Sequence, residues 1–138
     1  MKIAFVCKHN VFRSRVAEEY LKRISNHEVS SFGLFKSKKI PPSEIIPAGK
    51  KFGLDLSLNS KTASIEDLRK LDLLIIVADD VPSKIFEHHL YKLKNKIVRW
   101  DIPDLDAGSP REESIKNIIA HVDSFVKNLD KNGKTQQI

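Results

Sequence analysis

The chain is poor in sulfur: one cysteine, Cys7, and one methionine in 138 residues. A lone cysteine excludes an internal disulfide, and with it the small secreted folds that depend on such staples. Five glycines and six prolines are too few for a collagenous or low-complexity chain. No apolar run approaches the roughly 20 residues needed to span a bilayer, so a soluble protein with no membrane partner is expected. No amino-terminal stretch reads as a signal peptide. Together with the unpaired thiol this points to a reducing, cytoplasmic setting. Aromatic residues make up only 7% and fall in no RNA-reading motif. The net charge of +6 comes from lysines scattered along the chain, which describes a solvated basic surface rather than a nucleic-acid footprint. What is present is ordinary for a globular domain, and long enough to bury a real core.

The apolar pattern alternates between strands and helices. Lys2 to Val6 reads as a buried strand ending at Cys7, and Leu73 to Ala78 as a central one. Glu28 to Gly33 and Lys96 to Trp100 supply two more. Val16, Ala17, Tyr20, Leu21 and Ile24 recur at helical spacing, which predicts a helix from about Ser14 to Ser25. Another helix is expected after Ser43, ending at Gly53, with Pro47 forcing a kink or a late start. The stretch Phe35 to Pro42 reads as a basic surface loop. Ser64 and Asp67 form a capping-box variant opening a short helix to Leu71, and Pro82 to Leu93 reads as a further helix. In the last helix Ser109, Pro110 and Glu112 supply the start, and Ile115, Ile118, Ile119, Val122, Phe125, Val126 and Leu129 make its apolar stripe. The expectation is one α/β domain over residues 1–130, with a four-stranded parallel sheet and helices on both faces in three layers. Residues 131–138 read as a flexible polar tail. Ligands of such sheets bind beyond the carboxyl ends of the strands, where Cys7 falls.

The segment Cys7-Lys8-His9-Asn10-Val11-Phe12-Arg13-Ser14 carries the chemistry. A tight strand-to-helix turn directs several backbone N–H groups into one concavity that suits a tetrahedral oxyanion, and the helix adds its positive end. Such a field favours the thiolate of Cys7. Arg13 has the planar fork to hold two phosphate oxygens, and Ser14 can donate to the sulfur. A core role is the ordinary one for a cysteine beside a buried strand; the arginine–serine pair at the helix mouth favours chemistry instead. The loop lacks the glycine–lysine–serine/threonine run of nucleotide-binding loops. The adjacent pair His88-His89 has no carboxylate at metal spacing, so no metal is expected.

Val6 to Glu18 (VCKHNVFRSRVAE) resembles the amino-terminal signature shared by low-molecular-weight protein tyrosine phosphatases and thioredoxin-linked arsenate reductases. Ser31-Phe32-Gly33 and Gly53-Leu54-Asp55-Leu56-Ser57 are similar to later stretches of the same family, and the resemblance runs loosely to about Lys127. It implies a nucleophilic Cys7, phosphate held by Arg13 and residues 8–14, and loop support from Asn10 and Ser31. Asn59 stands where a histidine often completes that network. The family's general acid, an aspartate before a proline, matches Asp104 with Leu105 in the proline's place; Asp101 and Asp106 are its competitors. The family's tyrosine pair beside the acid is absent, leaving Trp100 or Phe12 as an apolar wall or as core.

The resemblance implies a cysteine-dependent phosphomonoesterase with no cofactor, acting on a phosphorylated protein or a small phosphate ester. Lys8-His9-Asn10 and Arg15, in place of the glycine and proline common in animal members, lean toward arsenate reductase. With no second cysteine an internal disulfide relay is impossible, so arsenate reduction would need an external thiol. A phosphate-binding module without turnover is the third reading. Oligomeric state is not encoded in any of these patterns.

Overall fold

The computed structural model describes residues 1–35, 45–57, 61–89, 96–104 and 111–136, with the side chains of 88–89 and 130–136 outside that description. The elements are β1 (Lys2–Cys7), α1 (Arg13–Ile24), β2 (Glu28–Gly33), α2 (Ile45–Lys50), α3 (Ile65–Arg69), β3 (Leu73–Val77), α4 (Lys84–His89), β4 (Ile97–Trp100) and α5 (Arg111–Gln136). The strands form one four-stranded sheet in the order β2-β1-β3-β4, and every pairing is parallel. This is the α/β class expected from the strand–helix alternation.

The side-chain alternation of β1 sorts the core into two layers. Ile3 and Phe5 pack with Val16, Ala17 and Leu21 of α1, Ile45 and Ala48 of α2, and Ile115, Ile118 and Val122 of α5. Ala4 and Val6 pack on the other face with Leu68 of α3 and Phe86 of α4. Both faces of β1 and β3 are thus covered, which is why their sequences are almost continuously apolar. Helices α2, α3 and α4 have only five or six residues each. Helices that short are unstable alone, so they hold through the one or two apolar side chains they dock.

The local signals are met in detail at two ends. Ser64 accepts from the backbone of Asp67 while the Asp67 side chain accepts from the backbone of Ser64, a complete capping box. Gly53 has φ +75°, the left-handed geometry that ends the α2 turn. Pro47 lies in the first turn of α2 as described, where its missing N–H costs no helical hydrogen bond. α5 runs to Gln136, past Lys131, where the polar tail was expected to begin. This last stretch contains Asn132, Gly133 and Thr135, weak helix formers, and extends a helix already nucleated by its apolar stripe. The expected caps Ser109 and Pro110, the loop from Lys36 to Pro42, Ser43, and the end of the Pro82–Leu93 helix past His89 lie outside the described residues. Among the described residues no helix is long and apolar enough to cross a membrane.

The chain leaves β1 to add β2 on one side, then crosses over to add β3 on the other. The strand order therefore reverses at the carboxyl end of β1, the position where open α/β sheets hold ligands. Cys7 is the last residue of that strand.

Candidate active site

Cys7 is buried, and its Sγ lies 3.0 Å from the Oγ of Ser14 in the first turn of α1. The N-cap of that helix is Phe12, which makes no side-chain capping bond, and no acidic residue occupies the first turn. The orphan amides at the start of α1 therefore meet the loop without a competing carboxylate of their own helix.

Asn10 organises the loop. It is fully buried at φ 55°, the left-handed region that asparagine tolerates better than most residues. Its Oδ1 accepts from the backbone N–H of Lys61 at 3.1 Å. A backbone N–H can only donate, so the amide orientation is fixed and Nδ2 must be the donor to Ser14 Oγ at 2.7 Å and to Ser31 Oγ at 2.8 Å. Ser31 in turn donates to Glu18 Oε1 at 2.5 Å. With Ser14 Oγ receiving the asparagine proton, its own hydroxyl hydrogen is left for the sulfur. The network thus diverges from Asn10, one branch running through Ser31 to Glu18 and the other to Ser14, whose hydroxyl hydrogen is available to Cys7.

Glu18 anchors the far end. Burial by itself would raise its carboxyl, but hydrogen bonds from Lys22 and Ser31 and the charge of Arg15 together hold it below its ordinary value. Lys22 Nζ is 2.7 Å from Glu18, and the fully buried Arg15 pairs with Glu18 and, at 2.8 Å, with Glu19. Gly33, at the end of β2, lies against the loop backbone. A Cβ there would stand 2.7 Å from the carbonyl carbon of His9 and 2.9 Å from the amide nitrogen of Asn10. Only glycine permits so close an approach.

Arg13 is buried at 3% exposure, yet surrounded by carboxylates. Its Nη1 donates to the carbonyl of Ile102 at 3.0 Å and lies 3.1 Å from Asp80 Oδ1, while Nη2 donates to Asp80 Oδ2 at 3.4 Å. Asp79 is 3.8 Å from Nη1, and Asp104 is 3.9 Å from Nε. Asp80 therefore takes the Nη1–Nη2 edge of the guanidinium, and Asp104 stands by the other edge.

The remaining residues sort by burial. Lys8 and Val11 are half-buried, and His9 is exposed with its ring 6.2 Å from that of Phe35. Phe12 and Trp100 both belong to the core, Trp100 with its ring 5.8 Å from Phe5. Neither is an open wall. Asp104 is 61% exposed at the mouth, whereas Asp101 pairs with Arg99 at 3.2 Å. Asp106, Leu105 and Asn59 lie outside the described residues. Asp79 and Asp80 went unrecognised as partners of Arg13 in the sequence. Their one signal was position, directly after the apolar run of β3 at the ligand-binding end of the sheet. Among the described residues no cluster of His, Cys, Asp and Glu could hold a metal ion.

Searching curated proteins with the sequence gave no match. The fold has many solved relatives. A mutant of YwlE from Bacillus subtilis superposes with TM-score 0.81 at 22% identity, covering 94% of this chain and 99% of that one. A low molecular weight protein tyrosine phosphatase from T. tengcongensis gives 0.78 at 23%, covering 94% and 99%. A thioredoxin-dependent arsenate reductase from Corynebacterium glutamicum gives 0.72 at 22%, covering 95% of this chain and 62% of that one. At such identities these likenesses establish the fold. The family follows from the sequence itself, since the model for low molecular weight phosphotyrosine protein phosphatases matches residues 2–137. With that match running through a cysteine loop seated at the reversal point of a parallel sheet, the chain belongs to the low molecular weight phosphotyrosine protein phosphatase family of hydrolases.

Proposed function

We propose that this protein is a cysteine-dependent phosphomonoesterase acting on phosphorylated protein in the cytoplasm, with Cys7, Arg13 and Asp104 as its catalytic residues. The observation that supports the reading is the buried network centred on Asn10, whose Nδ2 donates to Ser31, itself a donor to Glu18, and to Ser14, which leaves the Ser14 hydroxyl hydrogen available to the Cys7 sulfur. Cys7 Sγ attacks phosphorus, and the ester P–O bond breaks as Asp104 gives its proton to the leaving oxygen. A water, deprotonated by Asp104, then attacks the cysteinyl phosphate, releasing inorganic phosphate and the thiolate. The loop amides of residues 8–14 and the Nε–Nη2 edge of Arg13 stabilise the equatorial oxygens. Asp80 on the opposite edge holds the guanidinium in orientation.

Incubation with p-nitrophenyl phosphate tests this. Wild type is expected to show a burst of nitrophenol, and Cys7→Ser none. Asp104→Ala is expected to turn over about 10²–10⁴-fold more slowly. Asp101→Ala is expected to remain within about twofold of wild type, because that carboxylate serves Arg99. No release by wild type would leave only a phosphate-binding module, and full activity in Asp104→Ala would discard that acid.

The activities of two structurally similar proteins set the substrate panel. A YwlE structure is described as an arginine phosphatase, so phosphoarginine stands beside phosphotyrosine in the assay. The arsenate reductase relative favours a second reading for the same loop, since arsenate and phosphate share charge and shape. With Cys7 the sole cysteine, that activity requires an added thiol such as glutathione or mycothiol. Arsenite production exceeding phosphate release under those conditions would favour it.

A further inference from the structure

The fork of Arg13 can meet two phosphoryl oxygens only if its guanidinium is held in one orientation. Its holders are the Asp80 carboxylate, at both Nη atoms, and the Ile102 carbonyl, which also accepts from the Asp79 N–H at 3.0 Å. Asp79 and Asp80 lie just past the end of β3, so the aim of Asp80 depends on what fixes that short segment. Its amides are fixed from β4 and the residues after it. Ala78 N–H donates to Trp100 O at 3.1 Å, and Asp79 N–H to Ile102 O. Its carbonyls are taken by one side chain, Arg99. Nε donates to Ala78 O at 3.3 Å and Nη2 to Asp79 O at 2.6 Å. Arg99 stands opposite Ile76 in the β3–β4 register, so its side chain reaches two and three residues forward to make these bonds.

An arginine 40% exposed on an edge strand is ordinarily solvated surface, and its ion pair with the exposed Asp101 adds little. Two consecutive backbone carbonyls on one planar fork are a different arrangement. Charge-assisted bonds to them fix the peptide units 78–79 and 79–80, the two that lead into Asp80. We propose that Arg99 is a positioning residue for phosphate binding and turnover: it sets the peptide units that aim Asp80, and Asp80 sets the fork of Arg13. The turnover half rests on the phosphatase reading above, while the binding half requires only that the loop take an oxyanion. Loss of Asp101 leaves both carbonyl bonds in place, so the backbone geometry and not the ion pair carries the effect.

Binding is measured by titrating the Cys7→Ser protein with inorganic phosphate. Adding Arg99→Gln is expected to weaken affinity about five- to tenfold. Arg99→Lys should lose nearly as much, because an ammonium cannot serve two carbonyls as a planar fork does. With Asp80→Asn already present, Arg99→Gln is expected to cost less than about twofold, since its route to Arg13 is cut. The same further loss in both backgrounds overturns the proposal, as does unchanged affinity in Arg99→Gln. In turnover, kcat/KM should fall by one factor for p-nitrophenyl phosphate and phenyl phosphate alike, because the defect lies at the phosphoryl oxygens. A fall confined to phenyl phosphate, whose poorer leaving group needs the acid more, would put Arg99 behind Asp104 and overturn the route through Arg13. The Nε–H resonance of Arg13, assigned by its absence from Arg13→Lys, gives a reading that needs no ligand. Arg99→Gln should shift or broaden it, and an unmoved signal overturns the proposal. Wild type that hydrolyses neither ester would sink the phosphatase reading alone, since affinity and resonance still decide on Arg99.

Discussion

Asn10 and Gly33 hold the loop by opposite means, one through hydrogen bonds and the other through lack of a side chain. Asn10→Gly keeps the left-handed backbone available but strips the bonds to Ser14, Ser31 and Lys61. Leaving buried polar groups unpaired costs about 1–3 kcal/mol. A drop of that size in the urea unfolding free energy, with turnover reduced at the same time, is the expected outcome. Unchanged turnover would show that Cys7 and Ser14 do not depend on the asparagine. For Gly33→Ala the added Cβ meets backbone at 2.7 Å and not a movable side-chain tip. The loop must shift, at about 1–3 kcal/mol. Thermal melts should show the loss, and affinity for phosphate should fall with it.

Helix α1 presents its amino-terminal end to the loop and braces it from behind through Glu18. The braced carboxyl sits below its ordinary value, so its contribution is present in full above about pH 4.3, the unperturbed glutamate value, and is lost as pH falls through the lowered folded value. Glu18→Gln removes the charge that faces the buried Arg15. Breaking such a pair costs on the order of 3 kcal/mol at neutral pH. Urea unfolding across pH 3 to 7 is expected to show the two proteins far apart at pH 7 and converging in the acid range. A gap independent of pH would assign the loss to packing instead of ionisation. The same helix is tied to α5 by Tyr20, which donates to Asp123 at 2.6 Å; that bond raises the phenol above its ordinary value.

Taken as a whole, the molecule places the Cys7 to Arg13 loop at the strand reversal of a basic protein, so on the proposed function an oxyanion should stabilise the folded state over the unfolded one. At phosphate concentrations a hundredfold above Kd the gain is about 2.7 kcal/mol. For a chain of this size that raises Tm by roughly 8–10 °C. Arg13→Lys is expected to flatten the response, because an ammonium cannot reproduce the guanidinium's bidentate fork. A shift of equal size in that variant would show that general basic charge, and not Arg13, binds the anion.

Helical and apolar spacing was enough to place every strand within a residue or two, and the cysteine-to-arginine spacing was enough to mark the turn between β1 and α1, because periodicity and a contiguous motif are local properties of the chain. Local pattern could not say that Ser31 and Glu18 would meet behind Asn10, that Gly33 would press on His9, or that Arg13 would be held by Asp80 and flanked by Asp79 and Asp104. Those partners lie on α1, on β2 and on the segments that follow β1, β3 and β4, and become neighbours only when the sheet assembles as β2-β1-β3-β4. The fate of Trp100 and Phe12 was open for the same reason, since a large aromatic suits a core or a cleft equally well until the packing of α5 and β1 around it decides. Chain-local energies select the elements; the order in which strands pair selects which charges face one another.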